Sequence, residues 1–96
     1  MLELRPTCEH CNKALPNNAT DAMICSFECT FCAGCVANVL HNVCPNCGGG
    51  FAPRPIRPKD KLTKYRPTTK VTNKPFDMEL FTGMLQRYKD IPPEKR

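Results

Sequence analysis

The chain has no tryptophan and few other aromatic residues, five Phe and two Tyr in 96 residues. It has no apolar run long enough to span a bilayer, and its first residues show no cationic segment followed by an apolar one. We therefore expect neither a membrane span nor a secretory signal, and predict a cytoplasmic protein. A chain this short cannot bury a large apolar core, so it needs another source of stability.

A recognisable catalytic pattern is also missing. The two histidines, His10 and His41, do not stand in a nucleophile–base arrangement that the sequence reveals. Eight cysteines would fill two tetrahedral metal sites and leave no open position for water or substrate. We therefore expect that the protein is not an enzyme.

Cysteine is what the chain has in abundance. All eight cysteines precede residue 48, in the pairs Cys8/Cys11, Cys25/Cys29, Cys32/Cys35 and Cys44/Cys47. Three pairs are spaced C-x2-C and one C-x3-C, separations at which two thiolates of one turn reach the same metal ion. In a reducing cytoplasm such thiols bind metal rather than form disulfides. The sequence predicts two Zn²⁺ ions per chain.

The spacings allow two ways of wiring the four pairs. In sequential wiring, the first two pairs hold one ion and the last two hold the other. In crossed wiring, the first and third pairs share one ion, while the second and fourth share the other. Spacing alone leaves both open.

Three details around the cysteines resemble the RING-finger cross-brace. They are Phe31 just before the fifth ligand, a short apolar segment between the sixth and seventh ligands, and the C-P-x-C ending at Cys44. The resemblance implies crossed wiring, with these ligands: Cys8, Cys11, Cys32 and Cys35 in the first site, and Cys25, Cys29, Cys44 and Cys47 in the second. Ubiquitin-ligase activity remains a minor hypothesis, because Glu9 and Gly48 depart from the RING ligases and the chain has no tryptophan for their docking groove.

Local patterns predict a small α+β head. A strand is expected over residues 22–24, and a returning strand at Phe31. A two-turn helix is predicted by the i, i+3, i+4, i+7 spacing of Val36, Val39, Leu40 and Val43. Residues 1–50 are thus predicted to form a metal-stabilised, RING-like or treble-clef-like domain with a short β-hairpin and a short helix.

The charge changes sign at the end of this head. Residues 1–50 carry two Lys/Arg against four Asp/Glu, a net −2, whereas residues 51–96 carry twelve against five, a net +7. Proline and cations dominate residues 51–75, a composition typical of a disordered linker. Residues 76–91 predict an amphipathic helix that Asp77 caps and Pro92 ends.

Several longer motifs resemble a small bacterial cysteine-rich family catalogued as a domain of unknown function. They are M-L-E-L-R-P-x-C-E-x-C, I-C-S-F-E-C-T-F-C-x-x-C, C-P-N-C-G-G and R-P-x-R-P, which together cover about residues 1 to 58. The resemblance implies a bacterial, cytoplasmic, metal-binding protein and leaves its biology open.

We predict that the protein acts as an adaptor, binding a protein partner or a second copy through the C-terminal helix. The residues expected to make that contact are Met78, Phe81, Leu85 and Tyr88. The alternative is weak, salt-sensitive nucleic-acid binding through the tail cations Arg54, Arg57, Lys59, Lys61, Lys64, Arg66, Lys70 and Lys74. A redox or metal sensor is a further minor hypothesis, since metal-bound thiolates remain oxidisable.

Overall fold

The centre of the fold is a three-stranded antiparallel sheet. In a computed structural model, which describes residues 1–73 and 76–96, the strands are β1 (Ala22–Ile24), β2 (Thr30–Cys32) and β3 (Ala52–Pro53), in the order β2-β1-β3. β1 and β2 form the expected hairpin, in which Ala22 lies opposite Cys32. The sequence did not predict β3, which pairs with the other side of β1.

The short apolar helix follows β2 without a break. Helix α1 (Ala33–Cys35) continues into a wider π-type turn over Val36–Leu40, which ends at His41 in the left-handed conformation, φ 48°. Its apolar face is buried in one cluster with Phe31 of β2. The helix therefore begins and ends about three residues earlier than its apolar spacing predicts, because Cys32 terminates the strand and starts the helix.

The core is built largely from thiols. Six of the eight cysteines are buried, and the largest side chains wholly buried beside them are Phe31, Leu15, Leu40 and Val43. Few apolar side chains are available to fill this volume. The thiols therefore occupy the structural centre of the head.

The segment after residue 50 differs from the expected disordered linker. Up to residue 73 the structure describes it as lying along the head, where Arg54 N donates to Ala22 O at 2.9 Å and Thr68 N donates to Glu3 O at 2.9 Å. A 3-10 turn over Lys59–Lys61 interrupts its extended course. Backbone pairing and guanidinium contacts hold this segment, and neither is visible in a composition that is poor in apolar residues.

The C-terminal helix also packs on the head. Helix α2 (Met78–Tyr88) begins at the predicted cap, where Asp77 Oδ1 accepts hydrogen bonds from two backbone amides. Phe81 is only 3% exposed, and its ring lies 5.0 Å from that of Phe76. Beyond a second 3-10 turn (Pro93–Lys95), Arg96 Nη1 donates to Asn42 O at 2.7 Å. Both ends of the helical segment are thus attached to the head.

None of the helices that the structure describes is both long and apolar enough to cross a membrane.

Candidate metal centre

Two of the C-x2-C turns are closed in the same way. Asn12 N donates to Cys8 O at 2.9 Å, and Gly48 N donates to Cys44 O at 2.8 Å. Asn12 and Gly48 have φ values of 63° and 77°, in the left-handed region that asparagine and glycine tolerate best. A residue in this conformation reverses the chain directly after the second cysteine. Both thiols of each turn are thereby held on the same side.

Backbone amides of two loops are directed at sulfur. Phe27 N donates to Cys25 Sγ at 3.4 Å, and Gly49 N donates to Cys47 Sγ at 3.4 Å. Hydrogen bonds to a thiolate favour its charged form and fix the orientation of a metal ligand. These loops are therefore suited to present thiolates rather than thiols.

The first cluster brings together the cysteines of the first and third pairs. The four Sγ atoms of Cys8, Cys11, Cys32 and Cys35 all lie within 4.8 Å of one another. Cys11 Sγ and Cys32 Sγ are 3.8 Å apart, close to the sulfur–sulfur edge of about 3.8 Å in a tetrahedron with Zn–S bonds of about 2.3 Å. Cys11 is the exposed member of this cluster. The donor set fits a tetrahedral, thiophilic ion.

The second cluster contains three sulfurs with the fourth close by. Cys25, Cys44 and Cys47 have Sγ atoms within 4.8 Å of one another. Cys29 shares a hydrogen bond with Cys44, which lowers the pKa of Cys29 and raises the pKa of Cys44. Asn46 Nδ2 also donates to Cys29 Sγ at 3.3 Å. Cys29 thus contacts the cluster through Cys44, although its Sγ atom does not lie within 4.8 Å of all three sulfurs.

The two clusters combine the cysteine pairs in crossed order. The first cluster joins pair one to pair three, and the second joins Cys25 to pair four. Strand β2 begins directly after Cys29 and ends at Cys32, so only two residues, Thr30 and Phe31, lie between these two cysteines. Two clusters positioned to hold metal ions therefore share one short, rigid segment. Four-sulfur tetrahedral sites suit zinc or iron.

Glu9, between the first two ligands, has a structural role that the sequence did not reveal. Its carboxylate is 3% exposed, accepts a hydrogen bond from Arg5 Nη1 at 2.8 Å and also accepts one from Thr30 N. The acid thus ties the first cysteine turn to β2, between the two clusters. These two partners compensate for the loss of solvent around the buried carboxylate, so an acidic residue is tolerated at position 9. No local pattern could have predicted the contact, because 21 positions separate Glu9 from Thr30.

The predicted nucleic-acid residues fall into two groups. Arg54 is 4% exposed, and its guanidinium donates to Arg5 O at 2.8 Å, Leu15 O at 3.0 Å and Pro16 O at 2.8 Å, so it is not available to a phosphate. Arg57 donates to Leu2 O at 2.7 Å and Tyr65 O at 2.8 Å. Five cations remain exposed: Lys59, Lys61, Lys64, Arg66 and Lys70. Lys74 lies outside the described residues.

The predicted partner-binding stripe faces the head. Phe81 is buried, and Leu85 and Tyr88 pack against the same core cluster. Met78 alone of the four is exposed, at 55%. The sequence thus located the apolar face of α2 correctly, but most of this face packs on the head.

Comparison with known proteins places the chain in a family. Residues 1–57 match the family described as "Protein of unknown function (DUF1272)". The chain belongs to this family. Membership in a small cysteine-rich family of unknown function, predicted from the motifs, is thereby confirmed. The matched region contains both cysteine clusters, β3 and the residues Arg54 and Arg57.

A bacterial relative extends the likeness beyond the matched region. An uncharacterised protein of Rhizobium meliloti (strain 1021) is 55% identical over 75 residues, which cover 78% of this chain and 89% of the relative. No solved structure matches the chain.

Proposed function

We propose that the protein is a structural zinc module with two crossed sites, and that it serves as an interaction adaptor. The observation that carries the zinc assignment is the grouping of the thiols: four sulfurs of pairs one and three in one cluster, and three of pairs two and four in the other. When bound, zinc would supply cross-links and folding free energy to a domain with few apolar side chains. The residues that would hold it are the eight cysteines.

Mass spectrometry under native conditions tests the zinc assignment. Protein purified without added metal should carry two Zn²⁺ ions, and chelation should remove both and broaden the charge-state distribution as the head unfolds. If the purified protein is instead coloured, with a sulfur-to-iron absorption band, the bound metal is iron rather than zinc. Metal-free protein that keeps its folded charge states would contradict a structural role.

The adaptor role is supported by an apolar side chain on a constrained loop. Phe27 is 70% exposed, although its loop is closed by Cys25 and Cys29 at its two ends. A large aromatic side chain held in water by a rigid loop is typical of an interaction anchor.

A photo-crosslinking amino acid at position 27 tests this role in cells. We expect one discrete cross-linked product from the zinc-loaded protein, and none from a matched probe at Thr63, which is also exposed. Equal labelling from both positions, or no product from position 27, would contradict the adaptor proposal while leaving the zinc assignment intact.

A second candidate, weak nucleic-acid binding, is favoured by the five exposed tail cations. Tyr65 lies among them, 37% exposed, with Lys64 Nζ 5.5 Å from its ring centre. Replacing Lys59, Lys61 and Lys64 together by alanine should weaken binding to a random oligonucleotide and flatten its dependence on salt. Replacing Lys95, remote in sequence, serves as the control. Affinity that does not change with salt would exclude this mode.

A further inference from the structure

The outer face of α2 contains a glycine that the folded chain does not require. A Cβ atom added at Gly83 would meet no atom within 4 Å. The φ of Gly83 is not positive; among the glycines of the described residues, a positive φ occurs at Gly48. Glycine in a helix interior is destabilising relative to alanine. Neither intramolecular crowding nor backbone conformation therefore accounts for Gly83. A close approach by another molecule would account for it.

An open groove of about 370 Å³ surrounds this glycine. Leu80 and Met84 form its apolar part, and Leu80 is 76% exposed. Glu79 and Arg87 stand at its two ends, each four residues from Gly83 and both exposed. At 1.5 Å per residue these ends are about 12 Å apart along the helix. The groove is thus apolar at its centre, with opposite charges at its ends.

We propose that this groove receives the same helix of a second copy of the chain. In an antiparallel pair with its twofold axis at Gly83, Glu79 of each copy lies beside Arg87 of the other. A twofold interface requires such a self-complementary surface. The absence of a side chain at Gly83 lets the helix axes approach closely, and Leu80 of each copy covers the groove of the other. A parallel pair would instead oppose like charges.

Charge exchange tests this arrangement in the zinc-loaded full chain. Analytical ultracentrifugation should show a concentration-dependent monomer–dimer equilibrium. Glu79→Arg and Arg87→Glu should each weaken the dimer at least about tenfold, because every reversal creates two like-charge pairs. The double variant should return to within about threefold of the native dimer. Lys89→Glu, a charge reversal at the C-cap of α2 and outside the groove, should have no comparable effect.

Gly83→Ala separates dimerisation from folding. Alanine should raise the stability of α2 while weakening the dimer, because its methyl group occupies the contact point. Zinc content should stay unchanged in every variant, so that failure here is distinguishable from failure of the zinc proposal. A chain that remains monomeric at millimolar concentration, or a double variant that does not recover, overturns the proposal and leaves the groove to a different occupant.

Discussion

The two halves of the molecule are held together by different polar chemistry. Residues 1–50 contain all eight cysteines, seven of them grouped in two clusters positioned to hold metal ions, whereas residues 51–96 contain none. The second half is attached through the guanidinium groups of Arg54, Arg57 and Arg96, which donate hydrogen bonds to backbone carbonyls of the first half. A planar guanidinium with five donors can satisfy several carbonyls at once. A larger domain would rely on apolar area instead. The first half groups thiols that are positioned to hold metal ions, whereas the second half relies on arginine side chains.

Removal of the proposed zinc ions should have the largest effect on folding. A structural zinc ion contributes about 10 kcal/mol or more to folding. Because the second half contacts carbonyls that the head positions, we expect chelation to unfold both halves together. Hydrogen–deuterium exchange of the backbone amides, measured by mass spectrometry with and without chelator, tests whether the two halves unfold together. Protection of α2 that survives chelation would mean that the second half folds independently.

Loss of one ligand should distinguish the two clusters. Cys29→Ser is expected to reduce the bound zinc from two ions to one, with the cluster of Cys8 and its partners still loaded. Native mass spectrometry measures the count, and Ser26→Ala in the same loop should retain both ions. If Cys29→Ser empties the first cluster before the second, the crossed wiring is wrong.

Truncation of Phe81, the buried side chain that packs α2 on the head, should detach α2 and leave zinc binding unchanged. Phe81→Ala removes a ring that is 3% exposed, a change that costs about 3–5 kcal/mol in a protein core. We expect α2 to lose its amide protection while zinc content remains unchanged. Met78→Ala, on the same predicted stripe but 55% exposed, should change stability by less than about 0.5 kcal/mol. Equal effects from the two variants would contradict the observed docking.

Arg54→Met should loosen the attachment of β3. The variant leaves three carbonyl oxygens without their donor, at an expected cost of about 2–3 kcal/mol in urea unfolding of the zinc-loaded protein. Arg54→Lys should recover little of this loss, because an ammonium group cannot reproduce the planar fork. The exposed Arg66→Met provides the control. Full rescue by lysine would indicate that charge, rather than geometry, makes the contact.

The helix cap should produce the smallest effect. Asp77→Ala removes the acceptor of two backbone amides and should cost about 1 kcal/mol, seen as fraying of the first turn of α2. Asp77→Asn, which retains an acceptor oxygen, should be nearly neutral. If Asp77→Ala destabilised the protein as much as Phe81→Ala does, the cap would also have to contact the head.

Local features of the fold were predictable to the extent that a few neighbouring residues determine them. Cysteine spacing predicted the turns that pair the thiols, and the segment before Cys25 predicted β1. The cap at Asp77 also followed from local signals, whereas α2 ends at Tyr88, three residues before the predicted end at residue 91. The composition around Arg54 predicted a nucleic-acid-binding cation of the tail. The three carbonyls that its guanidinium contacts lie 38 to 49 positions away, beyond the reach of any local pattern.

By itself, the sequence determined that eight thiols would be presented in pairs, because the geometry of a tight turn is fixed by the residues within it. It also determined that α2 would have an apolar side. Only the tertiary structure decided which pairs meet, that the head rather than a partner covers Phe81, and that Arg54 faces carbonyls rather than phosphates. These outcomes depend on contacts between distant segments, and for such contacts the spacing of residues along the chain carries no distance information.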